Sequence, residues 1–130
     1  MDALIKNGLL ITSKNRVQAS IGIKGGLIAG IYEPGEEPSA TEVIEADGLA
    51  IIPGAIDMHS HHRQGSEKGF EYKDTIYTST QQCAAGGVTT SIAMPNVTPP
   101  PNSLDLLKKQ FAIYESDAIV DWNFNPAPTI

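Results

Sequence analysis

Three histidines within four residues are the side chains of this sequence best suited to chemistry. His59 and His61 lie two residues apart at the end of a short apolar run. On an extended strand, side chains i and i+2 project from the same face, so these two imidazoles can hold one metal ion between them. Neutral imidazoles are suitable ligands for zinc. His62 is expected to project from the opposite face of the strand. A His-x-His pair also occurs at ordinary surfaces, so the surrounding residues have to decide.

The surrounding residues favour a metal site. Pro53-Gly54 opens the apolar run, Asp57 precedes the first histidine, and Arg63 follows the second at a spacing of two. This pattern resembles the cyclic-amide branch of the amidohydrolase superfamily, and His-x-His-x-Arg is most similar to dihydroorotase. The resemblance covers most of the chain. It continues through Gly-Phe-Glu-Tyr-Lys at 69–73, Ala-Ala-Gly-Gly-Val-Thr-Thr at 84–90 and Met-Pro-Asn at 94–96.

The resemblance implies a function for the full-length protein. It implies metal-dependent hydrolysis of a cyclic amide, here the interconversion of dihydroorotate and N-carbamoyl-aspartate in pyrimidine biosynthesis. It also implies one or two divalent ions, zinc first, with His59 and His61 as ligands, and a homo-oligomeric enzyme. A metal ion would polarise the amide carbonyl and lower the pKa of bound water to about 7.

Arg63 and Asn96 are the candidate substrate-binding residues. The planar guanidinium of arginine fits a carboxylate with two hydrogen bonds, and an asparagine amide can donate to the same group. In dihydroorotases the residues at these two motif positions bind the substrate's carboxylate, and the resemblance carries that role to this chain. Two alternatives stay open. Arg63 could instead pair with Glu67 or Glu71, and Asn96 could cap the turn that follows it.

Asp57 has two interpretations. It is expected to orient a metal-bound histidine by accepting the other ring N–H, in preference to binding the metal directly, and the other interpretation is a turn residue. No catalytic residue is expected within this chain, because the family's bridging ligand, later histidines and catalytic aspartate have no counterpart in it. The chain alone is therefore expected to be inactive. The loop at 64–69 is longer than the acidic-Pro-Gly segment typical of dihydroorotases, which keeps an allantoinase- or hydantoinase-like enzyme open.

The elements that position these residues fall into two parts. Residues 1–52 read as short strands with tight turns, including a predicted hairpin turn at Asn7-Gly8. The resemblance implies that they belong to a small β-sandwich subdomain. From residue 53 to 130, strands alternate with helices. The predicted order is βαβαβ, which indicates a parallel sheet with right-handed crossovers.

The two predicted helices have recognisable ends. Asp74 can cap a helix that runs to about Ala85, with Gly86-Gly87 as its stop. Asn102 or Ser103 can cap the second, whose apolar stripe is Leu104, Leu107, Phe111 and Tyr114. The predicted fold class is α/β, and the resemblance implies that these elements are the first three strands of a (β/α)8 TIM barrel. Such a barrel takes eight strands and about 250 residues, so we expect the N-terminal portion of a longer enzyme.

Composition narrows the classes further. The net charge of −6 gives no basic surface for nucleic acid. Without an N-terminal signal or a long apolar run, neither secretion nor membrane insertion is expected, and the single Cys83 favours a reduced, cytoplasmic setting. The expected partner is a small cyclic amide. Two rivals stay open: a non-catalytic homologue that assembles with another enzyme, and a small metal-binding or scaffolding domain that folds alone.

Overall fold

A computed structural model describes residues 1–128, so the last two positions of the predicted barrel segment lie outside the described residues. The chain divides into two compact units, with the boundary between Pro53 and Gly54. Neither described helix combines the length and the apolar character needed to span a bilayer.

The first unit is a five-stranded sheet. Its strands are β1 (Ala3–Ile11), β2 (Arg16–Lys24), β3 (Leu27–Tyr32), β4 (Glu42–Glu45) and β5 (Ala50–Ile51). The order is β3-β2-β1-β4, with β5 also paired to β1. β2 is antiparallel to both neighbours, whereas β4 and β5 run parallel to β1. The described residues of this unit form a single sheet, so the second layer of the predicted sandwich stays a prediction.

The predicted hairpin at Asn7-Gly8 is wrong. β1 continues through these residues with a register shift against β2, and Asn7 takes a positive φ of 58°. This is a β-bulge, in which an extra residue is accommodated without ending the strand. Partners distant in sequence hold it: the Asn7 N–H donates to Ser20 Oγ, and its side-chain amide donates to Glu45. Asparagine tolerates positive φ, so one signal fits both a turn and a bulge.

The second unit alternates strands and helices as predicted. It contains β6 (Ala55–Ser60), α1 (Ile76–Ala85), β7 (Val88–Ala93), α2 (Leu104–Asp117) and β8 (Asp121–Phe124). The sheet order is β6-β7-β8, and both pairings are parallel. Buried side chains from both helices, from β7 and β8 and from the loop after β7 form the core: Ile76, Ala93, Val97, Tyr114 and Phe124.

The helix ends agree with the sequence except at one cap. Thr75, not Asp74, caps α1, and its hydroxyl and that of Thr78 form a reciprocal capping box. Gly87 has a φ of 79°, a conformation in which glycine avoids the strain of a side chain. Ser103 caps α2 as predicted, by accepting from Leu106 N–H.

The apolar stripe of α2 is shorter than predicted. Leu107 and Phe111 pack against the core that contains Tyr114, whereas Leu104 is 65% exposed. Leu104 is the first residue of the helix, and that turn carries its side chain away from the buried cluster.

Candidate metal centre

The candidate site lies at the carboxyl ends of parallel strands, where functional groups gather in such sheets. β6 ends at Ser60, and Met94 N–H just after β7 donates to the Ser60 carbonyl at 2.8 Å. Asn125 N–H in turn donates to the Ala93 carbonyl at 2.9 Å. These backbone bonds continue the sheet past the strand ends and hold the following loops beside one another.

His59 and His61 lie together at this edge. Both side chains are exposed, and their ring centroids are 5.1 Å apart with planes inclined at 70°. His59 belongs to β6, and His61 is the first residue after the strand. The structure therefore brings the two predicted metal ligands to one place, as their spacing indicated.

Asn96 contacts His61 directly. Its Oδ1 lies 2.7 Å from His61 Nδ1. An amide oxygen only accepts hydrogen bonds, so Nδ1 is the donor, and in the neutral imidazole Nε2 then keeps its lone pair free. This is how a metal-bound histidine is commonly oriented by a neighbour. The sequence suggested that Asn96 donates to a substrate; the structure adds a role for its oxygen, which nothing local to Asn96 could have indicated.

Asp57 accepts hydrogen bonds from the His59 backbone and the Ser60 hydroxyl rather than from a histidine ring. Its carboxylate accepts from the His59 backbone N–H at 2.9 Å and from Ser60 Oγ at 2.7 Å. The hydrogen bond from the His59 backbone, with that from Ser60, lowers the pKa of the Asp57 carboxyl. Asp57 thus fixes the strand at the first candidate ligand. The role predicted from the sequence, in which Asp57 accepts a histidine ring N–H, stays a prediction.

His62 faces away from this pair, as predicted, but into the protein. It is 2% exposed, with Nε2 3.1 Å from Ser91 Oγ and Nδ1 3.1 Å from Tyr114 Oη. Its ring also stacks on Tyr114, with centroids 5.7 Å apart. Burial lowers the pKa of His62, against a smaller opposing effect from Asp74. The partners are 29 and 52 residues away, so no local pattern signals this network.

Arg63 is half-buried and keeps its guanidinium outside ion pairs. Within residues 1–128, the one ion pair joins Lys6 to Glu37, so the predicted alternative pairing of Arg63 with Glu67 or Glu71 is not formed. The Glu71 carboxylate instead accepts from the Gly69 N–H at 2.6 Å. A guanidinium in this state is available for a carboxylate brought by a ligand.

The loop after Arg63 is fastened at its first two residues. Gln64 Oε1 accepts from the first N–H of α1, that of Ile76, at 2.9 Å. The Gln64 carbonyl accepts from Gln110 Nε2 of α2 at 2.8 Å. Gly65 packs so tightly on the Thr98 backbone that any side chain there would collide with it. The segment that departs from the expected acidic-Pro-Gly pattern is thus tied to both helices.

The donor set fits part of a zinc site. Two imidazoles, one with its tautomer set by Asn96, are suitable first ligands, and zinc usually takes four. Among residues 1–128, no group of three or more His, Cys, Asp or Glu side chains lies close enough to complete such a set. The described residues therefore offer two candidate ligands, fewer than a zinc site takes.

Comparison with known proteins decides the family. The family model described as Dihydro-orotase-like matches residues 48–124, which include the histidine pair, Arg63 and Asn96. The chain belongs to the dihydroorotase-like family. The dihydroorotase of Enterococcus faecalis is 39% identical over 121 residues, which is 92% of this chain and 28% of that protein. This member of the dihydroorotase-like family thus spans about a quarter of the length of the curated relatives it matches.

Solved structures show the same architecture. The L-hydantoinase (dihydropyrimidinase) from Arthrobacter aurescens superposes with a TM-score of 0.81 at 27% identity, over 95% of this chain and 27% of that one. A D-hydantoinase (dihydropyrimidinase) from Thermus sp. gives a TM-score of 0.71 at 34% identity, with the same coverage. Residues of the second unit are therefore the first βαβαβ part of an amidohydrolase TIM barrel, preceded by a β-rich N-terminal unit.

Proposed function

We propose that the intact protein is a metal-dependent cyclic amidohydrolase of the dihydroorotase type, which interconverts dihydroorotate and N-carbamoyl-aspartate. One observation carries this proposal. His59 and His61 lie together at the end of β6, and Asn96 Oδ1 holds His61 Nδ1 at 2.7 Å, which leaves Nε2 free to bind a metal. Both rings are exposed, so each is accessible to an ion from solvent.

The chain's own residues prepare the site for a divalent ion, zinc by ligand chemistry. When bound, the ion would supply Lewis acidity, which polarises an amide carbonyl and makes water more acidic. Asp57 holds the backbone of the first ligand, and Asn96 sets the tautomer of the second. Both contacts prepare two ligands before the metal arrives, which limits the ordering cost of binding.

Arg63 would provide substrate selectivity. Its guanidinium has no carboxylate partner among residues 1–128, and it follows the second ligand by two residues. Dihydroorotate carries a carboxylate on its ring, so two parallel hydrogen bonds from Arg63 would orient that ring. The amide N–H groups of Asn96 remain able to donate to the same carboxylate while its oxygen holds His61.

A hydantoinase-type activity is the second candidate. Solved structures with TM-scores of 0.71 and 0.81 bear the names hydantoinase and dihydropyrimidinase, whereas the curated sequence relatives bear the name dihydroorotase. The two substrates differ in the carboxylate that Arg63 would bind. The charge of the preferred ring therefore separates the candidates.

The test compares ring opening of dihydroorotate, hydantoin and allantoin by the intact protein. Activity should disappear with a chelator and return with zinc, and kcat/KM should be highest for the acidic ring. The double variant His59→Ala, His61→Ala should lose both metal and activity. Turnover of all three rings at the level of the buffer, in a protein shown to contain metal, would favour a non-catalytic homologue and refute the proposal.

A further inference from the structure

His62, Ser91 and Tyr114 form a buried polar network directly behind the candidate metal ligands. His62 bridges β7 and α2: one ring nitrogen meets Ser91 Oγ and the other meets Tyr114 Oη, each at 3.1 Å. All three side chains are almost fully enclosed. Buried polar groups are costly unless each one is satisfied, and this network satisfies both nitrogens of the imidazole.

An apolar residue would fill this position without such demands. The surrounding cluster is hydrophobic, with Ile76, Ala93 and Phe124 among its buried members. The polar network adds a defined orientation of the His62 ring. Hydrogen bonds to Ser91 on β7 and to Tyr114 on α2 restrict the His62 ring to one orientation, whereas apolar contacts would allow several.

The orientation of the His62 ring affects the candidate site because of where His62 lies in the chain. It follows His61 and precedes Arg63, so pinning its ring fixes the backbone from which both neighbours project. On the opposite side, Asp57 holds the His59 N–H, and Ser60 is bonded through its carbonyl to Met94 N–H. The chain is thus held at successive residues, and His62 supplies the hold that precedes Arg63, as Gln64 supplies the hold that follows it.

We propose that His62, together with Ser91 and Tyr114, is a positioning network that sets the geometry of the metal ligands and of Arg63 from inside the core. This inference rests on the proposed function, because it assumes that His59 and His61 bind a metal. His62 itself does not touch the metal or the substrate. Its effect is transmitted through the backbone on either side.

Single hydroxyl deletions in the intact protein test this network. Ser91→Ala and Tyr114→Phe each remove one partner of His62 while the ring of residue 114 stays in place. Binding of Co²⁺, used as a spectroscopic substitute for zinc, is measured by its visible absorption in competition with a chelator. We expect each variant to weaken Co²⁺ binding about tenfold, as losses around metal ligands commonly do, and to alter the Co²⁺ spectrum.

Thr80→Val is the matched control. Thr80 is 0% exposed in the same unit, and its hydroxyl bonds Ile76 and Ile119 rather than the strand end. It loses a buried hydroxyl as the test variants do, so it reports what a loss of stability alone does to Co²⁺ affinity. We expect its affinity and spectrum to match those of the unsubstituted protein, while urea unfolding shows a comparable loss of stability.

Two further variants separate positioning from stability. His62→Gln retains a donor and an acceptor in one side chain, so it should recover much of the affinity that His62→Leu loses. The triple variant His62→Leu, Ser91→Ala, Tyr114→Phe replaces all polar partners with apolar groups. Its stability should return towards that of the unsubstituted protein, because no buried group is left unsatisfied, while Co²⁺ binding stays weak.

Three results would overturn the inference in distinguishable ways. If Co²⁺ affinity follows the urea midpoint across all variants, Thr80→Val included, the network is merely structural. If the triple variant regains both stability and affinity, direction from the polar groups is unnecessary. If the double variant His59→Ala, His61→Ala binds Co²⁺ as the unsubstituted protein does, the metal site itself is wrong, and the proposed function fails with it.

Discussion

Replacing Asn96 with alanine separates two roles for this residue. In one role, Asn96 Oδ1 orients His61 through the 2.7 Å contact with Nδ1, and every substrate depends on it. In the other, the Asn96 amide holds only the carboxylate of an acidic ring. The first role predicts a loss of metal affinity, and the second predicts a loss confined to dihydroorotate.

The magnitude follows from the kind of hydrogen bond. It joins an exposed amide to an exposed imidazole, so its net value is roughly 0.5–1.5 kcal/mol. Because about 1.4 kcal/mol is tenfold in an equilibrium constant, Asn96→Ala should weaken zinc binding about twofold to about tenfold. Asn96→Asp keeps the acceptor and adds a charge, which strengthens the bond to the Nδ1–H, so its zinc affinity should be at least that of the unsubstituted protein.

The assay measures zinc affinity by competition with a chelator and kcat/KM for dihydroorotate and hydantoin in zinc-saturated samples. Asn102→Ala is the control: it removes another exposed asparagine in the same loop, just before the cap of α2. We expect it to leave zinc affinity unchanged. Saturation with zinc should restore hydantoin turnover in Asn96→Ala. Dihydroorotate turnover should also recover if Asn96 only orients His61, and it should stay low if the Asn96 amide binds the substrate carboxylate.

Either of two results would refute the reasoning. If Asn96→Ala binds zinc as tightly as the control, the contact with His61 does not prepare a metal ligand. An affinity lost equally in Asn96→Ala and Asn96→Asp would likewise show that an acceptor at this position is not what His61 requires. Either result would remove the observation on which the proposed function depends.

Three other predictions concern charge, completeness and pH. Arg63→Ala should lower kcat/KM for dihydroorotate about tenfold to about hundredfold, since a hydrogen bond to a charged group is worth roughly 1.5–3 kcal/mol; zinc content should not change, and an equal loss on hydantoin would point to a structural role. The 130-residue chain alone should open none of the three rings, because its described residues offer two metal ligands, and measurable turnover by the purified chain would contradict this. Donation from Ser20 lowers the pKa of Glu37, so the stability that this carboxylate contributes is present above its unfolded pKa of about 4.3 and is lost as the pH falls through the lower folded pKa. Glu37→Gln should therefore flatten the dependence of the urea midpoint on pH below about pH 5, and an unchanged slope would show that Glu37 is not the titrating group.

Local signals were enough to predict most of the barrel part. Ser103 caps α2 and Gly87 takes the left-handed conformation after α1, because capping depends on residues within one turn. The N-cap of α1 is Thr75 rather than the predicted Asp74, and both residue types are favourable N-caps. The choice between them is decided by Thr78, whose hydroxyl completes the capping box. The parallel order of the three strands followed from their alternation with helices.

The sheet of the first unit was harder to predict, because its local signals have more than one meaning. Asn7-Gly8 fits a tight turn, yet the structure uses it as a bulge. The choice depends on Ser20 and Glu45, which lie 13 and 38 residues away. Contacts of that range leave no trace in a window of a few residues.

The candidate site shows the same limit. The pairing of His59 with His61 was predictable, because it needs only the two-residue period of a strand. The contact between His61 and Asn96 spans 35 residues, and it depends on β6 and β7 being adjacent in the sheet. Sequence could place both residues at one edge of the sheet, but the hydrogen bond between them required the structure.

The three neighbouring histidines illustrate how one short segment, from the end of β6 into the loop after it, can give the same side chain opposite tasks. His59 and His61 project to the exposed edge, and His61 keeps a ring nitrogen free because Asn96 takes up the other. His62, one residue on, is enclosed, and both of its nitrogens are satisfied by hydroxyls. A histidine that binds a metal needs a free lone pair on one ring nitrogen, whereas a buried imidazole needs a hydrogen-bond partner for both ring nitrogens. Burial alternates from exposed His59 to buried Ser60 and from exposed His61 to buried His62, so a shift of one residue would bury a ligand and expose the network.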